Sequence, residues 1–77
     1  MEYEKFLVWL KSNKNLGERS ARDVVSRLRR AMAILGKDYF PEDALQELNA
    51  KPEFLELTMS VKSQLRRAVT LYSEFEK

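Results

Sequence analysis

The chain has 77 residues, with 14 lysines and arginines against 12 aspartates and glutamates, a net charge of +2, and neither histidine nor cysteine. Such a length predicts one domain with a single core, and the missing imidazole and thiol groups exclude disulfides, thiolate metal sites and most catalytic chemistry. The apolar run Phe6–Leu10 is too short for a membrane span or a secretory signal. We therefore expect a cytoplasmic binding protein with no catalytic residue, metal, cofactor or small-molecule substrate.

Charge is distributed unevenly along the chain. Residues 1–18 are neutral overall, whereas residues 19–37 carry six basic side chains against one acidic. Residues 38–57 carry one basic side chain against six acidic, and residues 58–77 carry four against two. An acidic middle thus separates two basic segments, so one face can be positive although the whole chain is nearly neutral.

Helical periodicity dominates the chain, and no run alternates apolar and polar residues in the manner of a strand. The first predicted helix is Glu2–Ser12, in which apolar residues recur at Tyr3, Phe6, Leu7 and Leu10. A loop follows at Asn13, Asn15 and Gly17.

The second predicted helix is Ser20–Leu35. Ser20 is expected as its N-cap, with Asp23 returning a hydrogen bond in a capping box, and Gly36 is expected to end it. Its core stripe is formed by Val24, Leu28, Met32 and Leu35, flanked by Ala21, Val25 and Ala31.

The acidic middle is less regular. Pro41 is expected in the first turn of a short helix whose apolar side is Ala44, Leu45 and Leu48. A further helical turn is predicted at Pro52–Leu57, with three residues buried: Phe54, Leu55 and Leu57.

The last predicted helix is Ser60–Phe75. Its core stripe has helical spacing and consists of Val61, Leu65, Ala68, Tyr72 and Phe75. Together these segments predict an all-α fold, a small orthogonal bundle of four to five helices in a single domain, 1–77.

A basic row lies opposite the core stripe of the second helix, on the side away from Leu28 and Leu35. The row consists of Arg19, Arg22, Ser26, Arg29 and Arg30, with Arg27 at one flank. The planar fork of arginine suits phosphate and the guanine edge, so the row is a candidate DNA-binding face. The alternative is a solvated helix face that is paired with the acidic middle.

The last helix is expected to place Lys62 and Arg66 opposite its core, with Arg67 to one side. Hydroxyl residues Ser63, Thr70 and Ser73 accompany them. Short hydroxyls beside long cations fit phosphate contact, and they fit an ordinary solvated surface equally well.

Most aromatic residues are expected in the core, while Trp9 and Tyr39 are expected to be partly exposed. With Phe40 they can form an apolar patch for a protein partner, and the acidic middle can dock a basic partner or a second copy. The spacing of the acidic residues matches no EF-hand loop, so a metal site is not expected.

Three sequence stretches together resemble a known family. The helix F-L-x-W-L at Phe6–Leu10 is followed by S-A-R-D-V-V-S-R-L-R-R, and the chain closes with S-x-L-R-R-A-V-T-L-Y-S-E-F. This order resembles the N-terminal core-binding, or SAM-like, domain of phage integrases and other tyrosine recombinases. The positions that match the family pattern are Ser20, Val24, Leu28, Ala68, Tyr72 and Phe75.

The resemblance implies an arch of helices that clamps double-stranded DNA from the side opposite a separate catalytic domain. It implies positive contacts at Arg22, Arg29, Arg30, Lys62 and Arg66. The family's catalytic residues lie in that second domain, so the resemblance implies an N-terminal piece of a larger protein that is no enzyme alone. Similar helical modules are attached to other DNA-processing proteins, including nucleases.

Overall fold

Five helices make up the fold, and no residue lies in a β-strand. The computed structural model describes all residues from Met1 to Lys77. Its helices are α1 (Tyr3–Asn13), α2 (Glu18–Leu35), α3 (Ala44–Asn49), α4 (Pro52–Leu55) and α5 (Met59–Glu76). The predicted all-α bundle is therefore confirmed. None of these helices combines the length and the apolar composition needed to cross a membrane.

The two longest helices, α2 and α5, pack against each other and are joined by α1 and α3. Sixteen buried hydrophobic residues form one continuous core. Leu28 of α2 and Leu65 of α5, central in the predicted stripes, are 0% and 1% exposed. Burying a leucine side chain contributes about 1.5–3 kcal/mol. These two stripes therefore fix the rotation of both long helices about their axes.

An aromatic cluster closes the end of the core where α1 meets α5. The ring of Phe6 meets that of Tyr72 edge-on at 4.9 Å, and Phe40 packs on the same tyrosine at 4.8 Å. The Glu2 backbone N–H donates a hydrogen bond of 3.2 Å to the Tyr72 hydroxyl oxygen. Burial raises the pKa of the Tyr72 phenol, so the group remains neutral. Tyr72 thus ties the start of α1 to the last helix.

The start of α2 differs from the prediction. Gly17 is the N-cap, and its carbonyl accepts a hydrogen bond of 2.9 Å from the Ala21 N–H, so the helix begins at Glu18. Ser20 and Asp23 lie inside the helix, and the predicted capping box is wrong. Glu18 occupies the first turn, where its negative charge favours the positive end of the helix dipole.

Two expectations for the middle segment are also wrong: the place of Pro41 and the burial of Leu55. Pro41 is buried ahead of α3, which begins only at Ala44, so the proline is not in its first turn. The helix α4 has four residues, and one turn presents a single face to the core. Phe54 fills that face with 0% exposure, which leaves Leu55 53% exposed rather than buried. The next helix, α5, begins at Met59 with Thr58 as its N-cap.

The end of α2 follows the prediction. Gly36 has a φ of 70° and its N–H bonds to the Met32 carbonyl, as in a left-handed helix cap. We expect Gly36→Ala to lower the free energy of unfolding by about 1 kcal/mol, because an L side chain is strained in this conformation. Gly36→Asn should cost less, since asparagine tolerates the left-handed region. Urea denaturation followed by circular dichroism would measure both, and equal stability of all three proteins would contradict the assignment.

Candidate nucleic-acid interface

The exposed face of α2 carries the basic row predicted from the sequence. Because Leu28 and its neighbours turn the opposite face into the core, the polar residues point outward. All five of the predicted residues are exposed: Arg19, Arg22, Ser26, Arg29 and Arg30. The small side chain of Ala33 continues the same face and is also exposed.

The acidic middle does not neutralise this face. Arg22 is the one arginine of α2 in an ion pair, and its partner is Glu18 of the same helix at 2.5 Å. Among the acidic residues of the middle segment, only Glu47 forms an ion pair, at 2.7 Å from Lys37. Arg19, Arg29 and Arg30 therefore keep their charges available, and the predicted alternative of pairing with the acidic segment is wrong.

Glu18 links the end of α1 to the basic face. It accepts hydrogen bonds from Lys11 Nζ at 2.6 Å and from Arg22 Nε at 2.5 Å. The hydrogen bond from Lys11, and then that from Arg22, lower the pKa of the Glu18 carboxyl. The carboxylate is therefore charged at neutral pH, where it restrains Arg22 and offsets part of its charge.

Arg29 is held by an aromatic ring rather than by an acid. Its guanidinium carbon lies 4.4 Å from the ring centroid of Tyr3, at the start of α1. Such stacking leaves the in-plane N–H donors of arginine free while it restricts the side chain's conformations. Arg29 is thus an ordered cation without a bound acid.

A shallow groove of about 290 Å³ runs between α1 and α2. Three of the predicted residues, Arg22, Ser26 and Arg29, line one wall, and the α1 side is formed by Tyr3, Glu4 and Leu7. Two guanidinium groups and a hydroxyl on one wall can donate several hydrogen bonds to phosphate oxygens. The groove is the place where the structure brings sequence-predicted site residues together.

The basic residues of α5 are arranged differently from the prediction. Lys62 and Arg66 are half-buried, and Arg67 is the exposed member. Arg66 Nε donates to the Asn49 side-chain oxygen at 3.0 Å, and its guanidinium lies 5.3 Å from the Phe54 ring centroid. Placing Arg66 opposite the core was therefore wrong, and Lys62 is less exposed than predicted. None of the surface grooves contains a basic residue of α5.

The predicted apolar patch is not formed. Trp9 packs against Phe75, with ring centroids 5.7 Å apart, and Phe40 packs against Tyr72 in the core. Only Tyr39 is strongly exposed, at 58%. Sequence reasoning also missed Tyr3 as the support of Arg29, because it assigned Tyr3 only to the core stripe of the first helix.

No protein-family model, curated protein or solved structure matches the chain. The resemblance to integrase core-binding domains stays a prediction, which rests on positions such as Val24, Tyr72 and Phe75, since Ser20 does not open α2.

The two hydrogen bonds to Glu18 can be tested by titration. We expect Lys11→Gln to raise the pKa of Glu18 more than Arg22→Gln does, because the lysine hydrogen bond has the larger effect. The two hydrogen bonds to the Glu18 carboxylate stabilise the fold at pH values above the carboxyl's unfolded pKa. This stabilisation is lost as the pH falls through the lowered pKa of the folded state. Carboxyl ¹³C NMR across an acid titration would measure the Glu18 pKa in the wild type and in both variants. A Glu18 pKa that neither variant changes would contradict the geometry.

Proposed function

We propose that this chain is a DNA-binding module that contacts the phosphates of duplex DNA through the exposed face of α2. The observation that carries the proposal is the set of three arginines, Arg19, Arg29 and Arg30, which are exposed and form no ion pair. Phosphate contacts, to which arginine and lysine contribute, supply nearly all of the non-specific affinity of proteins for DNA and a large share of the specific affinity.

The shape of the face supports a duplex as the partner. Arg19 and Arg30 are separated by roughly 16 Å along the helix axis, given a rise of 1.5 Å per residue. A helix fits the major groove of B-DNA, which is about 12 Å wide. Ser26 and Ala33 have small side chains on the same face, so they allow the helix backbone to approach the nucleic acid closely.

The uneven charge supports a defined orientation on DNA. The acidic residues of the middle segment form no ion pair with the α2 arginines, so the two charges stay separate. A molecule with separated charge is turned by the field of a polyanion so that its basic side approaches first. The acidic segment then favours the orientation in which α2 faces the DNA, and it does not prevent binding.

The resemblance to core-binding domains supports a role within a larger DNA-processing protein. In this proposal the chain positions DNA, and an integrase-like or nuclease-like catalytic domain elsewhere performs the chemistry. The resemblance implies DNA contacts from both α2 and α5. In this proposal the α2 face makes the main contact, because Arg66 of α5 is engaged with Asn49 and Phe54.

A protein-interaction module is the second candidate. Leu55 and Met59, at the turn between α4 and α5, are 53% and 80% exposed. The exposed carboxylates Glu53 and Glu56 lie beside them in sequence, which fits a partner with basic and apolar side chains. Sedimentation at several concentrations, with and without DNA, separates the candidates, since self-association without DNA binding favours this one.

Charge reversal on α2 tests the DNA-binding proposal. The triple variant Arg19→Glu, Arg29→Glu, Arg30→Glu should abolish duplex binding while circular dichroism shows an intact fold. In the wild-type protein three phosphate contacts give a slope of about −3 for log affinity against log salt. Fluorescence anisotropy with a labelled duplex measures both quantities.

A matched control reverses the same number of charges away from α2. We expect the variant Lys51→Glu, Arg67→Glu, Lys77→Glu to retain most of the affinity, because its changes affect only the long-range field. An equal loss in the two triple variants would show that net charge, and not the α2 face, determines binding.

The stack of Tyr3 on Arg29 makes a second prediction. Tyr3→Leu should weaken duplex binding by roughly two- to fivefold, the factor that one exposed cation–π contact of about 0.5–1 kcal/mol supports. Tyr3→Phe keeps the ring and should bind as the wild type does. In an Arg29→Ala background, Tyr3→Leu should have no further effect on affinity. Independent, additive losses would contradict a positioning role for Tyr3.

A further inference from the structure

A second groove adjoins the α2 face at the C-terminal end of the helix. It has a volume of about 710 Å³ and lies between the last turns of α2 and the segment 37–39. Arg29 and Ala33 line it on the helix, and Lys37, Asp38 and Tyr39 line it on the following segment. Arg29 also lines the groove between α1 and α2, so the two grooves meet at this residue.

Tyr39 is the one aromatic residue that does not pack in or against the core. Every other aromatic side chain is buried in the core or packed against it: Tyr3, Phe6, Trp9, Phe40, Phe54, Tyr72 and Phe75. Tyr39 is 58% exposed and takes no part in that core. An exposed aromatic ring beside a cationic face is the arrangement by which proteins stack unpaired bases.

The ring of Tyr39 is held in position. Lys37 Nζ lies 5.4 Å from the ring centroid, and the same ammonium forms an ion pair of 2.7 Å with Glu47 of α3. The hydrogen bond to Glu47 is the main reason that the pKa of Lys37 is raised. Lysine therefore stays charged and anchors the segment 37–39 to α3, so the ring is presented from an ordered support.

The chemistry of the groove matches a nucleotide. Arg29 supplies guanidinium donors for a phosphate, and Tyr39 supplies an exposed aromatic ring. The Asp38 carboxylate, which also lines the groove, accepts hydrogen bonds, as the exocyclic amino group of a base requires. The volume is within the range of about 300–1,000 Å³ that is usual for sites that bind small organic groups.

We infer that this groove binds an unpaired nucleotide where single-stranded DNA leaves the duplex, with its base on Tyr39 and its phosphate on Arg29. The inference rests on the proposed function, which places the duplex on the α2 face. Inside a duplex both faces of each base are covered by neighbouring bases. The Tyr39 ring, just after the end of α2, therefore needs a base that lies outside the duplex stack. The preferred substrate is then a duplex with a single-stranded extension.

Anisotropy titrations with two DNA molecules test the inference, one a blunt duplex and the other the same duplex with a short adenine extension. We expect the extension to tighten binding to the wild-type protein by roughly fivefold or more, as one stacked base does. Tyr39→Ala should remove this gain and leave blunt-duplex affinity unchanged, whereas Tyr39→Phe should keep it. A 2-aminopurine in the extension should lose fluorescence on the wild type and on Tyr39→Phe only.

Each contrary result has a distinct meaning. Duplex binding without a gain from the extension, or a gain that persists in Tyr39→Ala, overturns the nucleotide groove and leaves the α2 face standing. Loss of the gain in Tyr39→Phe overturns stacking, because that variant keeps the ring. Absence of duplex binding by the wild type overturns the proposed function and, with it, this inference. Thermal denaturation of each variant confirms that the compared proteins are folded.

Discussion

The burial of one apolar stripe on α2 is the constraint on which the rest of the structure depends. Leu28 is completely buried in the core that α2 shares with its neighbouring helices, so rotation of α2 about its axis would expose it and leave a cavity. Truncating a leucine in such a position to alanine typically lowers the free energy of unfolding by about 2–5 kcal/mol. The same rotation would turn the arginines away from solvent. Packing energy therefore orients the charged face, although no arginine of that face contributes to the core.

The charged face itself does not stabilise the free protein. Arg19 and Arg22 are three residues apart, as are Arg27 and Arg30, while a single carboxylate on the helix is paired with this face. Like charges at such spacings repel, by a few tenths of a kcal/mol for each pair on a helix surface. In the proposed complex, DNA phosphates would relieve this repulsion, and tighter binding to the folded arrangement would stabilise the fold by mass action.

Much of this architecture follows from periodicity, and what does not follow depends on contacts between elements. The stripes around Leu28 and Leu65 are local patterns, and they identified both long helices and the outward face of α2. Ser20 is the stronger cap by residue type, but glycine is also a favoured cap, and Gly17 follows directly on Leu16, which packs against the core. Nothing local shows that α3 and α4 cover Arg66. The support of Arg29 by Tyr3 likewise joins residues far apart in the sequence, and only the packing of α1 on α2 brings them together.

The hydrogen bond between the Glu2 backbone and the Tyr72 hydroxyl has a consequence for how substitutions should be interpreted. Tyr72 anchors the residue immediately before Tyr3, and Tyr3 supports Arg29, so an interior side chain of the last helix is connected to a surface cation on the second. The connection is a short series of rigid contacts through the first turn of α1. Loosening the interior at Tyr72 therefore adds conformational freedom to a guanidinium that it does not touch. At this end of the molecule, tight packing around Tyr72 and the ordering of the Arg29 side chain depend on the same contacts.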